Sequence, residues 1–358
     1  MEITPTKRQL YPDIACGFLI IHMVFGHITQ HAGLWQGQQT LYSFWCSLIF
    51  FMMPWFFFKA GMFFREKPTL VEIKASAKRL LIPFALFSFC GACIEYAAKM
   101  SHEGFTTSGF IQDNLHALLM GGALESNPPL WFLFSLFFAR IIFNILFKKL
   151  PDYIIAIIGL IVACILMQVS LHLPHYFGNV FAGLFFLAAG HFLKDKQFKL
   201  PILIAAIVTF IAVYAVDFPQ VDMHLHQIFS GTYLLWLPAS LAGIVILDHI
   251  ARIRPLEKIR LQVIGKDSMT YYVLHWLVIV CASIIVKRIW PEASSELKVA
   301  LYTIACVITL PLASSIYKRA SKRFHKEQAF SEIQISSADT CSSLNSSLRI
   351  HSKREQAK

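Results

Sequence analysis

The sequence predicts an all-α protein: a polytopic transmembrane helix bundle of about ten spans with both termini in the cytoplasm. Three observations lead there. Hydrophobic residues make up 56% of the chain and charged residues only 15%, whereas soluble chains carry roughly a quarter charged residues. Apolar runs of about 20 residues recur from end to end, and a helix of that length crosses the hydrocarbon layer. The connections between runs alternate between basic and nearly charge-free, the pattern that orients a multi-span protein.

Taken in order, the runs fall at 13–32, 41–64, 79–98, 130–147, 153–172, 177–193, 201–217, 229–249, 268–286 and 297–317. The short connections Lys148–Asp152 and Leu173–Tyr176 make hairpins of their flanking spans. One alternate set of connections holds Lys7 and Arg8, then Arg65, Lys67, Lys74, Lys78 and Arg79, then Lys148 and Lys149. It continues through Lys194, Arg252 and Lys266 to Lys318 and Arg319. The other set has Lys99, Lys287, Arg288 and Lys298, all at span ends. The positive-inside rule therefore places both termini in the cytoplasm and makes the span number even.

No cleavable signal peptide is expected, because the first run contains His22 and His27 and lacks a small-residue cleavage site. Residues 1–328 read as the membrane domain, and residues 329–358, rich in Ser, Lys and Arg, as a disordered cytoplasmic tail. The long outer connection, 99–129, exceeds what a turn needs and is expected to pack over the outer mouth. A net charge of +11 would suggest nucleic acid in a soluble chain. Here the basic residues set topology, and no nucleic-acid partner is expected. All the cysteines except Cys341 lie in the runs or at their ends, as buried free thiols do. Cys90 and Cys93 form a single C-x-x-C with no second pair.

Polar groups inside spans are costly, so each needs an explanation. In the first run Asp13, Cys16 and His27 fall on one helix face, Asp13 and His27 within about 40° of each other and about 21 Å apart along the axis. His22 points about 140° away from His27. An imidazole that deep needs a polar partner or a wet cavity; a helix–helix hydrogen bond and a reactive base both fit. In the ninth run Ser268, Tyr272 and His275 lie at i, i+4 and i+7 on one face, with Asp267 as candidate N-cap. A polar seam between helices and a functional face both fit that pattern. The segment from Arg65 to Pro83 is basic and amphipathic. Its Lys74, Lys78 and Arg79 suit phosphate groups, although taken alone they read more simply as charge that sets topology. Lys59, near the inner end of the second run, is expected to snorkel to the surface. Asp217, Asp222, His224 and His226 share one outer loop; solvated loop residues are the preferred reading there, and no metal is expected.

Several segments, in order, carry a family likeness. They are Tyr11-Pro12-Asp13-Ile14-Ala15-Cys16-Gly17 leading to Gly26-His27, Met53-Pro54-Trp55 leading to Gly61, and Lys78-Arg79-Leu80-Leu81-Ile82-Pro83. Leu130-Trp131-Phe132-Leu133, Phe185-Phe186 leading to Gly190, and Ile264-Gly265-Lys266-Asp267-Ser268 leading to Tyr272 and His275 complete the set. Together they resemble the integral-membrane acyltransferases that O-acetylate sugars, in particular the fucose 4-O-acetylase-like branch. The resemblance implies an acyl donor, typically acetyl-coenzyme A, entering from the cytoplasm. It also implies a carbohydrate hydroxyl as acceptor, often on a lipid-linked or surface glycan. It carries the essential first-span histidine onto His27 and the basic residue after the second span onto Arg79. Two departures stand out: Cys16 replaces the usual Arg or Lys eleven positions before the histidine, and Lys59-Ala60 replaces a small polar residue before Gly61.

The expectation is therefore a multi-pass inner-membrane O-acyltransferase. His27 and Asp13 are its candidate catalytic residues, and Lys74, Lys78 and Arg79 bind the donor. Trp131, Ser268, Tyr272 and His275 support the acceptor or the base. Asp13 is too far from His27 to touch it, so any orienting partner must come from another helix. An acyl-histidine intermediate is the alternative to general-base chemistry. A secondary transporter or flippase for a glycan-related substrate is the competing class, though the inverted repeats and Gly/Pro-broken spans it favours are not found.

Overall fold

The computed structural model describes residues 9–34, 45, 48–168, 173–194, 196, 198–216, 220–223, 227–230 and 232–320. The tail at 329–358, Lys7, Arg8, Asp217, His224 and His226 lie outside the described residues. The chain divides into two compact units, Met1–Ile308 and Thr309–Lys358. Of the second, residues 309–320 are described, and they are helical.

Among the described residues, seven helices are long and apolar enough to cross a membrane. In chain order the helices are α1 (Tyr11–His31), α2 (Met52–Met62), α3 (Thr69–Lys99), α4 (Thr107–Gly121) and α5 (Trp131–Phe147, preceded by a 3-10 turn at Pro128–Leu130). They continue with α6 (Asp152–Gln168), α7 (Tyr176–Leu193), α8 (Leu200–Val216), α9 (Tyr233–Ala251), α10 (Leu261–Lys266), α11 (Ser268–Ile289) and α12 (Ser295–Ala320). Each expected span has its helix. α6 and α8 are described over 17 residues each, and both run up to residues outside the described ones, while only 11 residues of the second span are described as α2. The all-α expectation needs one amendment: β1 (Gln220–Asp222) pairs antiparallel with β2 (Gln227–Ser230), an irregularity following the Gln220–Ser230 pair.

Local chemistry explains several boundaries. Pro12 lies in the first turn of α1, where a missing N–H costs nothing, and Asp13 complements the helix N-terminus. The third run does not begin at residue 79; the helix starts ten residues earlier and runs unbroken for 31 residues. Within its first half, Ala77–Leu81 is a π turn. Pro83 is the cause: it has no N–H to give the Arg79 carbonyl, so the bonding slips and the Ile82 N–H reaches back to Ala77.

The connection 99–129 has structure of its own. It contains α4, capped at its start by the Thr106 hydroxyl accepting from the Gly109 N–H and stopped by Gly122, at φ 75°. After it, the chain turns inward. Ser126 is 5% exposed and Asn127 fully buried. The Ser126 N–H and hydroxyl both donate to Asn114 Oδ1, and Asn127 Nδ2 donates to the Phe87 carbonyl at 3.1 Å.

Two glycine crossings set the closest packing. A methyl group at Gly17 would overlap the Leu261 carbonyl, and one at Gly265 would overlap the Asp13 carbonyl, so α1 and α10 touch backbone to backbone. Gly61 of α2 and Gly190 of α7 repeat the arrangement against Leu187 and Phe58. Small residues permit this approach, which dispersion then rewards. α6 and α7 run antiparallel, tied at one end by His191 Nδ1 and Asp152 Oδ2 at 2.7 Å.

Candidate active site

From the Gly17–Gly265 crossing, α1 and α11 run side by side in the same direction. Ten residues on in each chain segment, about 15 Å at 1.5 Å per residue, lie His27 and His275. Their rings stack, with centroids 5.2 Å apart and planes 30° apart. The Trp276 indole stands edge-on to His27 at 5.3 Å and meets His31 at 4.6 Å. Trp276 Nε1 donates to the Ser126 carbonyl at 3.2 Å, so the inward-turning segment holds it in place. His27 Nδ1 lies 3.1 Å from Gln30 Oε1, one turn along the same helix.

His275 is fully buried. Its Nδ1 is 2.6 Å from the Tyr272 carbonyl, and the Tyr272 hydroxyl in turn donates to the Pro129 carbonyl. Phe132 packs edge-on against Tyr272, and the buried Trp131 packs against Phe132. Of the expected ninth-span face, Tyr272 and His275 thus stand at the centre. Ser268 sits on the first turn of α11, about 10 Å below His275 along the axis. Asp267 occupies the N-cap position, and its carbonyl rather than its carboxylate caps the turn, accepting from the Thr270 N–H at 2.8 Å.

Asp13 is not with His27. It forms an ion pair with Lys59 at 3.6 Å, and the Lys59 ammonium also donates to Cys16 Sγ at 3.1 Å. Trp55 Nε1 donates to the same sulfur at 3.4 Å. Lys59 therefore does not snorkel to the surface. Its side chain is 21% exposed and turns inward, because Asp13 on the facing helix offers a carboxylate. The cation absent from position 16 of α1 is supplied to that spot from α2. His22 is buried at 7% and meets the Trp45 ring at 6.0 Å, a packed residue rather than a bystander on an idle face.

The basic residues gather around α3. Lys74, Lys78 and Arg79 are exposed, the last two on the π turn. Beside them Glu72 is 1% exposed and takes both Arg140 Nε and Nη2, at 3.0 and 2.8 Å, the Ser76 hydroxyl at 2.7 Å and the Lys67 ammonium at 3.5 Å. Asn144 and the Lys67 backbone exchange two further hydrogen bonds. Sequence reasoning passed over Arg140 and Glu72. The signal was available, since Arg140 is the one charge within the α5 run and a charge there needs a partner. It also passed over Gln30, His31, Trp276 and Ser126. The first three stand beside residues already singled out, but Ser126 becomes relevant only once the outer connection is known to turn inward.

α3 also packs against α11, so the helix that carries the basic residues lines the helix that carries His275. Apolar helices of spanning length, a stacked imidazole pair where two of them meet and a cluster of basic residues at one end of a third describe a membrane protein with an internal polar site. The family comparison gives that class its chemistry: the acyltransferase-domain family matches residues 9–318, and the chain belongs to that family. Neither the search of curated proteins nor that of solved structures found a match.

Proposed function

We propose that this membrane acyltransferase moves an acetyl group from acetyl-coenzyme A to a hydroxyl of a glycan or glycolipid at the inner membrane, with His27 as general base. In this reading ten spans cross the membrane, both termini are cytoplasmic, and the donor enters from that side. Lys74, Lys78 and Arg79 meet its phosphates; all three are exposed, as docking on a soluble co-substrate requires. The pantetheine arm then runs into the helices, past the Asp13–Lys59 pair, and presents the thioester near His27.

The single observation that carries the reading is the setting of His27. It is a partly exposed imidazole, stacked on a buried one, with an indole edge fixing its orientation. Neutral imidazole takes a proton from a hydroxyl near ambient pH. As the hydroxyl oxygen bonds to the acyl carbon, the carbon–sulfur bond breaks and the thiolate leaves. His27 then returns the proton to the thiolate. Trp131, Ser268, Tyr272 and His275 shape the acceptor side, and Asp13 contributes by fixing Lys59. Family membership favours an enzyme over a transporter.

The test uses membranes containing the full chain, labelled acetyl-coenzyme A and the glycolipids of the host. Label should appear in an alkali-labile glycan ester. His27→Ala should insert normally yet lose transfer by about two to four orders of magnitude, the usual contribution of a general base. Transfer at a near-normal rate in His27→Ala would refute the assignment.

A further inference from the structure

Arg140 is a charge where topology does not need one. Basic residues that orient a helix do so from the water at its end. Arg140 lies within α5, well before its last residue, Phe147, and its side chain is 12% exposed. A guanidinium in that position needs a partner. Glu72, itself 1% exposed, is one. It does not account for the whole cluster, for two reasons.

The first is stereochemical. Arg140 Nε and Nη2 both donate to one oxygen, Glu72 Oε1. That contact uses the side edge of the planar guanidinium. The far edge, formed by Nη1 and the outer hydrogen of Nη2, meets no acceptor among the described residues. Such an edge matches two oxygens of one phosphate group. The Phe64 ring, with its centre 5.7 Å from Arg140 Cζ, packs against the same guanidinium.

The second is electrostatic. Glu72 Oε2 faces the Lys67 ammonium at 3.5 Å, so Arg140 and Lys67 share one negative charge. Asn144 braces the Lys67 backbone with two hydrogen bonds and keeps that chain segment against α5. Arg79 follows Glu72 by about two turns of α3, and its charge is felt by both Glu72 and Arg140. No ion pair engages Arg79 among the described residues. Three cations therefore converge on one carboxylate, and a site with that excess attracts an anion. Arg79 is exposed, so the site is open to one.

We infer that the far edge of Arg140, with Arg79 beside it, is a phosphate-binding site, and that its ligand is a phosphate group of the acyl donor. The inference rests on the acyl-transfer reading above and adds a residue to it. The exposed Lys74 and Lys78 attract the nucleotide from water, while Arg140 fixes one phosphate between α3 and α5. Glu72 is the positioning residue: by taking the side edge it leaves the far edge for the ligand.

Two variants separate binding from bracing. In Arg140→Lys an ammonium still pairs with Glu72 but has no planar far edge. Glu72→Gln/Arg140→Gln removes both charges together and strands neither ion. Full-length protein in phosphatidylcholine nanodiscs is titrated with acetyl-coenzyme A and with its 3′-dephospho form, and its thermal unfolding is read without ligand. Both variants should bind acetyl-coenzyme A about tenfold or more weakly than wild type. Arg140→Lys should keep an unliganded Tm within about 3 °C of wild type, which a purely structural pair would not allow. A loss that disappears with the 3′-dephospho donor assigns the 3′-phosphate to Arg140; an equal loss with both donors assigns the diphosphate.

Arg140→Lys that binds acetyl-coenzyme A as wild type does overturns this inference alone and leaves the acyl-transfer reading standing. Failure of both variants to fold would make the pair a brace and overturn it too. So would unchanged donor affinity in Arg140→Lys together with loss of the stabilisation that added phosphatidylglycerol gives the wild type, since the anion would then be a lipid headgroup. Wild-type protein that binds no acetyl-coenzyme A overturns the donor assignment itself, and this inference falls with it.

Discussion

At the scale of single residues, charge type matters more than charge count. Arg79 and Lys78 share the π turn, but a guanidinium offers a planar fork to a phosphate where an ammonium offers a point. Arg79→Ala should raise KM for acetyl-coenzyme A several-fold while leaving KM for the sugar unchanged, and Arg79→Lys should fall between. Steady-state kinetics with each substrate varied in turn decides it; two unaffected variants would move the phosphate site elsewhere. Which residues share a helix face was legible in the sequence, and Tyr272 with His275 followed from spacing alone. Who meets whom was not. Asp13 and His27 share a face, yet the distance along the helix gave each a different partner on a different helix. Helical periodicity fixes angle and rise within one element and contains nothing about the element opposite.

Among elements, the glycine crossings govern how the candidate site is assembled. Gly17 and Gly265 sit inside the motifs that carry the family likeness, but only the structure shows them as one reciprocal contact. Because α11 continues from that crossing, the contact sets the level at which His275 meets His27. Gly265→Ala has no room, since its methyl would fall on backbone rather than on a movable side chain. It should destabilise the protein by about 1–3 kcal/mol, the usual cost of overpacking. It should also lower transfer in the fraction that folds. Thermal unfolding of the purified protein in detergent, read beside specific activity, checks both. Normal stability with normal activity would mean that the helices part at little cost. α4 was missed as an element because its Thr, Ser, Gln, Asp, Asn and His residues break the apolar run on which span reading depends.

For the whole molecule, topology is the open quantity, and burial dictates where to probe it. Ser126 lies in a connection expected to be outer, yet at 5% exposure it would report packing and not sidedness. Ser101, exposed just beyond α3, and Lys149, exposed between α5 and α6, are sounder positions. With native thiols removed, Ser101→Cys should react with an impermeant reagent in intact cells and Lys149→Cys only after lysis. Equal labelling would sink the ten-span arrangement. The positions of the long apolar helices were legible because hydrocarbon thickness imposes a length on every crossing helix. The inward turn after α4 was not, because neither length nor hydropathy marks a segment held by side-chain amides.

The unbroken run of α3 has a mechanical consequence. Its 31 residues extend about 46 Å at 1.5 Å per residue, against roughly 30 Å of hydrocarbon. The surplus of about 16 Å cannot be dissolved in lipid, so the helix leans or protrudes. One end of it carries Glu72, Lys74, Lys78 and Arg79, and Gly91 farther along gives Asn127 its seat. A single helix thus reaches from the basic residues to the segment whose Ser126 carbonyl holds Trp276, with the π turn at Ala77–Leu81 as its one irregular stretch.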